Sequence, residues 1–149
     1  ISKLPDKKNK CLLGAYEVNI SSHDNQVTIL ASGSEVELAL STQELLKNSG
    51  VESKVVSVPC QELFDKQSTE YKNELLPKNI IKISLEAGSD IGWYKYVDYC
   101  YGINSFGESG NLKELISKFN FTQEKVIEFL ENLPNFTEEK VIEFLKNLA

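Results

Sequence analysis

The chain alternates between short, continuous apolar runs and longer stretches in which apolar residues recur every third or fourth position. A strand buried on both faces reads as a continuous run, whereas a helix facing a core reads with a period near 3.6. Residues 27–32 (VTILAS), 54–58 and 80–85 are runs of the first kind, rich in β-branched residues, and predict three core strands. A short alternation through Ala15, Tyr16, Val18 and Ile20 predicts an opening strand, and Gly102 and Ile103 fall in a last short one. After Gly33, the spacing of Ser34 and Glu37 fits a capping box. It predicts a helix with Val36, Ala39 and Leu40 on one face, continued by Leu46 and stopped by Asn48-Ser49-Gly50. Further helices are predicted over 61–66, from a Ser68 cap to Leu76 before Pro77, and over the aromatic stretch 91–99. Strands alternating with helices imply an α/β fold: three layers, a mostly parallel, mixed sheet of about five strands, and helices on both faces.

The tail adds helices beyond that pattern. NFTQEKVIEFLENLP begins at Asn120 and NFTEEKVIEFLKNLA at Asn135. Each copy places Thr before an acidic first turn, which is a helix start, and each carries an apolar stripe. The stripes are Val126, Phe129, Leu130, Leu133 and Val141, Phe144, Leu145, Leu148. Pro134 between them predicts two helices, and two repeats are too few for a solenoid. Local duplication of one terminal helix is the expected origin.

Composition narrows the function. A chain of 149 residues suits one domain and needs no disulfide or metal to hold its core. The net charge of −6 argues against nucleic acid as a partner. All 16 basic residues are lysine, so no bidentate guanidinium clamp on a phosphate exists. Cys11, Cys60 and Cys100 form neither a CxxC nor a zinc pattern; an odd count suits a reducing, cytoplasmic setting with buried or half-buried thiols. The polar start ISKLPDKKNK has no signal-peptide core, and no run is long enough to span a membrane. The sequons at Asn19, Asn120 and Asn135 are read as chance, and the lone His23 sits in a polar turn.

Four places hold residues that chemistry would use. The turn Ser32-Gly33-Ser34-Glu35 lies where a strand meets a helix, the end of an open α/β sheet at which ligands bind, and free amides there favour an anion. Gly33, Ser34 and Glu35 are therefore the candidate ligand pocket, against the plainer reading that Ser34 only caps its helix. Glu86 and Asp90 flank a second turn as a possible carboxylate pair, or Asp90 caps a helix. Trp93, Tyr94, Tyr96, Tyr99 and Tyr101 offer an aromatic surface, better suited to a protein interface than to bases given the acidic charge. Cys60 precedes a helix, which lowers a thiol pKa, but no base lies nearby. A small hydrolase built on Ser34 or Cys60 fails for the same want.

Several segments carry a resemblance. LLGAYEV from Leu12, VTILASGSEVELAL, VVSVPCQELFDKQS from Val55, EAGSDIGWYKYV from Glu86 and GINSFGESG from Gly102 occur together in this order. They resemble the opening strand, the ATGSEV-like turn, the VSMPSxELFxxQ stretch, the EAGSxxGWxKYV stretch and the GIDxFGxSxP stretch of the C-terminal domain of transketolases. The likeness covers residues 12–133. Asn111 stands where that family has proline, and Glu108 replaces a small residue. Dihydroxyacetone synthase is a close relative with the same domain, and a stand-alone ligand- or protein-binding α/β module is the alternative reading.

The resemblance implies a parent enzyme that transfers a two-carbon ketol unit between ketose and aldose phosphates in the pentose phosphate pathway. Such an enzyme is a homodimer using thiamine diphosphate and a divalent cation, Mg or Ca. In that family the cofactor-gripping groups belong to other domains. The resemblance therefore implies no catalytic, cofactor or metal residue here, and a piece inactive alone that supports the dimer, with regulation as a second expected role. The expected divisions are 1–10 as a linker or cut end, 11–133 as the domain and 134–149 as the duplicated helix. The abrupt start is expected to be the cut end of a longer chain.

Overall fold

The computed structural model describes residues 10–19, 21, 24–102 and 121–134. Five strands form one sheet among them: β1 (Tyr16–Glu17), β2 (Val27–Ala31), β3 (Ser53–Ser57), β4 (Ile81–Glu86) and β5 (Tyr99–Gly102). Their order is β1-β3-β2-β4-β5; β1 runs antiparallel at one edge and the remaining pairs are parallel. The helices are α1 (Glu35–Asn48), α2 (Gln61–Asp65), α3 (Thr69–Leu75) and α4 (Gln123–Glu131). This is the mixed, mostly parallel α/β sheet that the apolar runs imply.

Strand alternation sorts side chains onto two cores. Val27, Ile29, Ala31, Val55, Ile83 and Leu85 face α1 and α4, where they meet Ala39, Leu46, Val126, Ile127 and Leu130. Leu30, Val56 and Val58 face the other way, toward Phe64 of α2, Leu75 of α3, Trp93 and Val97. The chain moves from β2 to β3 in one direction, then crosses back over β2 to reach β4. The connecting helices change face at that reversal, as crossovers of one hand require.

Helix ends follow local chemistry. Gly50 takes φ +81° and closes α1 with its amide on the Lys47 carbonyl at 3.0 Å. Ser68 caps α3 as predicted, its hydroxyl accepting from the Tyr71 amide at 3.2 Å. Thr122 caps α4 in the same way through the Lys125 amide, at 3.4 Å. The stretch 91–99 departs from expectation. It is a series of turns over 91–96, followed by Tyr99 entering β5. The Asp98 carboxylate accepts from the Lys82 amide at 2.8 Å, and the Asp98 amide donates to the Lys82 carbonyl at 2.9 Å. Those two bonds fix the chain beside β4 before a helix has room to form. The second tail copy, His23, and nearly all of GINSFGESG lie outside the described residues.

Candidate functional site

The strand order reverses on either side of β2, so the carboxyl ends of β2 and β4 form the switch point at which open α/β sheets bind ligands. Ser32, just past β2, donates its hydroxyl to Oε2 of Glu86 at 3.1 Å. Oε1 of Glu86 accepts from the Gly88 amide at 3.1 Å. The Glu86 side chain thus folds back across the edge and ties both strand ends together. Gly102 of β5 packs tightly beside it: a Cβ there would meet the carbonyls of Glu86 and Gly88, each at 3.3 Å.

The turn after Ser32 is built by Gly33 at φ +55°, a left-handed conformation that glycine adopts without penalty. Gly33 and Ser34 are exposed, and Glu35 is half-buried. The predicted capping box does not form. An N-cap needs extended backbone, but Ser34 is already helical at φ −66°, ψ −26°. Its hydroxyl turns instead to Oε1 of Glu35 at 2.9 Å. The amides of Glu35, Val36 and Glu37 reach the carbonyls of Ser32, Gly33 and Ser34 at 3.1, 3.4 and 3.3 Å. These amides are engaged within the turn, and the charged side chains that contact it are the carboxylates Glu35 and Glu86. The local chemistry suits a cation or a hydrogen-bond donor better than a phosphate.

The other sequence-derived candidates are dispersed. Glu86 serves Ser32 and Gly88, while Asp90 accepts from the Tyr94 hydroxyl at 3.1 Å. The residues after Asp90 form turns and not a helix, and the Ile91 amide goes to the Ser89 hydroxyl at 3.3 Å. The aromatic residues divide between the two cores. Trp93 and Tyr96 lie on the α2 side, while Tyr101 meets Phe121 and Phe129 at centroid distances of 5.4 and 5.1 Å on the α4 side. Tyr94 is exposed, as is Ile91. Together they form no stacking platform.

The three thiols are free, and Cys11 is exposed, contrary to expectation. Its hydrogen-bond partner is the Tyr16 hydroxyl at 3.8 Å. Cys60 precedes α2 as predicted, but its thiol donates to Glu62 at 3.7 Å and meets no basic group there. Burial pushes the Cys100 thiol up from its ordinary value, which disfavours a nucleophilic thiolate. No group of three His, Cys, Asp or Glu side chains suited to a metal exists among the described residues. Nor is any helix of theirs long and apolar enough to cross a membrane.

Two features escaped the sequence reading. Ser32 read as the strand's end and the start of the candidate turn, but its bond to Glu86 was not foreseen; a serine closing an apolar run is the one signal of it. Lys82 interrupts an apolar run and is buried; its ammonium donates to the carbonyls of Ile80 at 2.8 Å and Pro77 at 3.2 Å. A cleft of about 580 Å³ runs along the flank of α1, lined among others by Asn19, Glu37, Ser41, Glu44, Lys47 and Glu52. It does not include Gly33, Ser34 or Glu35.

A family model described as "Transketolase-like TK C-terminal domain" matches residues 14–122. The chain is 41% identical over 117 residues to the transketolase of Aquifex aeolicus, a match covering 76% of this chain and 17% of that protein. Among solved structures it is similar to the transketolase from Leishmania mexicana, with TM-score 0.75, 39% identity, and 80% and 18% of the two chains covered. The transketolase from Campylobacter jejuni gives TM-score 0.77 and 39% identity over 83% of this chain and 19% of that one. The chain thus spans less than a fifth of the length of these relatives.

Proposed function

The chain belongs to the transketolase-like C-terminal domain family, and from that premise we propose that it is the supporting domain of a transketolase, holding the dimer and carrying no catalytic group of its own. The parent enzyme in this reading moves a two-carbon ketol unit between sugar phosphates, as a homodimer in a reducing, cytoplasmic compartment. The domain proper occupies residues 11–133, with 1–10 a linker and 134–149 a duplicated helix. The family match over 14–122 falls within that domain.

The observation that carries the reading is the chemistry of the sheet's carboxyl edge. Thiamine diphosphate and its divalent cation require donors for the diphosphate and a ligand set for the metal. The edge instead presents Glu35 and Glu86, with the amides of 35–37 and Gly88 already engaged. Like charge repels a diphosphate, and engaged amides do not bind it. The described residues of this edge do not fit the cofactor, which supports the reading that the parent holds it through its other domains. The exposed turn Gly33-Ser34-Glu35 is where this reading places any regulatory ligand of the domain, and its chemistry selects a cationic or hydroxyl-bearing group.

The test compares this chain with its full-length parent in a ketol-transfer assay containing thiamine diphosphate and magnesium. The expected result is turnover by the parent and none by the chain alone. Turnover by these 149 residues in isolation overturns the proposal. Sedimentation of the parent with and without the domain checks dimer support; an unchanged dimer removes that part of it.

A further inference from the structure

One groove and two matching sequence segments stand out. α4 lies against α1 and the sheet with Val126, Ile127 and Leu130 buried, Leu133 nearly so, and Phe129 packed at its side. The second tail copy has the same residue at every one of those positions: Val141, Ile142, Leu145, Leu148 and Phe144. It repeats the Thr122 cap as Thr137 and the preceding buried Phe121 as Phe136. The copies differ at three positions only, Gln123 against Glu138, Glu131 against Lys146 and Pro134 against Ala149. None of the three contributes apolar surface to the core of the groove.

The first two differences favour the second copy. Gln123 is the first residue of α4, where the helix dipole rewards a negative charge; the second copy places Glu138 there. Glu131 is poorly suited to its place: its Oε1 is buried without a hydrogen-bond partner. Burial and the neighbouring Glu128 both push its carboxyl up. Lys146 in the same place would stand three residues after Glu143, an attractive helical spacing where the first copy has a repulsive one. Against this, the first copy closes the shorter connection from β5. Closure entropy grows only slowly with loop length, so that advantage is small.

We propose that residues 135–149 are an alternative occupant of the α4 groove, so that the two tail copies exchange in one binding place. Each chain has two equivalent stripes for this groove, and docking either leaves the other copy's stripe out of it. Pairing of two chains does not change that count, since it brings two grooves for four stripes. The surplus of stripes over grooves thus holds for one chain or a pair, and is independent of whether the parent is a transketolase.

Hydrogen exchange on the full chain, followed through peptides covering 123–133 and 138–148, reads which copy is docked. E131K gives the first copy the charge of the second while retaining the shorter connection. Protection over 123–133 should rise by about fivefold to tenfold, with a matching loss over 138–148. L130D, which spoils the first copy, should transfer protection to 138–148 and leave the chain folded. L130D/L145D, which spoils both, should lose protection in both segments and melt well below either single variant. Three results overturn the proposal: E131K leaving 138–148 unchanged, L130D failing to fold, or L130D melting as low as the double variant.

Discussion

The hydroxyl of Tyr96 donates to Oδ1 of Asp65 at 2.5 Å, while Lys95 holds Oδ2 of the same carboxylate at 2.7 Å. This pair fastens the end of α2 to the turns that follow β4, two segments that only the fold brings together. The Phe64 and Tyr96 rings meet beneath it at a centroid distance of 5.4 Å. A polar clamp therefore sits over an aromatic contact, and its strength depends on the charge of one carboxylate.

Its pH dependence follows from the two shifts. The bonds from Lys95 and Tyr96 hold the Asp65 carboxyl below its ordinary value of 3.8. Its contribution is therefore full above that value and fades as pH falls through the lower folded one. Burial, then the bond to Asp65, pushes the Tyr96 phenol up to about 12. Its contribution is full below the ordinary value of 10.0 and is lost as pH rises toward 12. Y96F should cost about 1 kcal/mol at neutral pH, a modest figure because Asp65 is solvent-screened. Urea titrations of Y96F and the natural chain should differ by a constant amount between about pH 4 and 10 and converge outside that window. A difference that persists unchanged at pH 2 would assign the effect to ring packing.

Two glycines should respond unequally to alanine. Gly14 has φ +78°, and a Cβ there would meet the Phe64 amide nitrogen at 2.2 Å and the Cys60 carbonyl at 2.4 Å. These are backbone atoms of α2 and its cap, so relief requires moving a helix. Gly33 has φ +55° with nothing within 4 Å of the added carbon. G33A should cost only the backbone term, about 1–2 kcal/mol. G14A should cost more than 3 kcal/mol, roughly the scale of severe core disruption. Thermal melts of both variants rank them, and a G14A melt equal to that of G33A would refute the close contact.

The difference between these glycines marks what a sequence exposes and what it hides. The runs 27–32, 54–58 and 80–85 give the parallel core because burial on both faces leaves a continuous apolar signature. Ser68 and Pro77 bound α3 because capping and chain breaking are local. Residues 91–99 misled because Trp93, Tyr96 and Val97 recur at helical spacing, yet the pairing of Asp98 with Lys82 takes precedence. The strand-to-helix turn was legible as a place, since Gly33 and Ser34 mark it. Its interior was not: Ser34 turns to Glu35, and Ser32 to Glu86, 54 residues away. Pattern reading reports period and polarity, whereas the site depends on contacts between distant segments.

Glu86 gives the sharpest test of that distant contact. Its carboxylate takes the Ser32 hydroxyl with one oxygen and the Gly88 amide with the other, so each strand end has a bond of its own. E86Q keeps one carbonyl oxygen and replaces the second with a donor. It can retain one bond and reverse the other, because the Ser32 hydroxyl both donates and accepts. E86A removes both acceptors, leaving the Gly88 amide and the half-buried Ser32 hydroxyl to find other partners. E86A should therefore lose about 1–3 kcal/mol while E86Q loses less than about 1 kcal/mol. Amide exchange should accelerate at Gly88 in E86A, with little change in β2, whose pairing with β3 and β4 does not pass through this side chain. Equal destabilisation by the two variants would mean that the negative charge of Glu86, and not its two acceptor positions, holds the edge together.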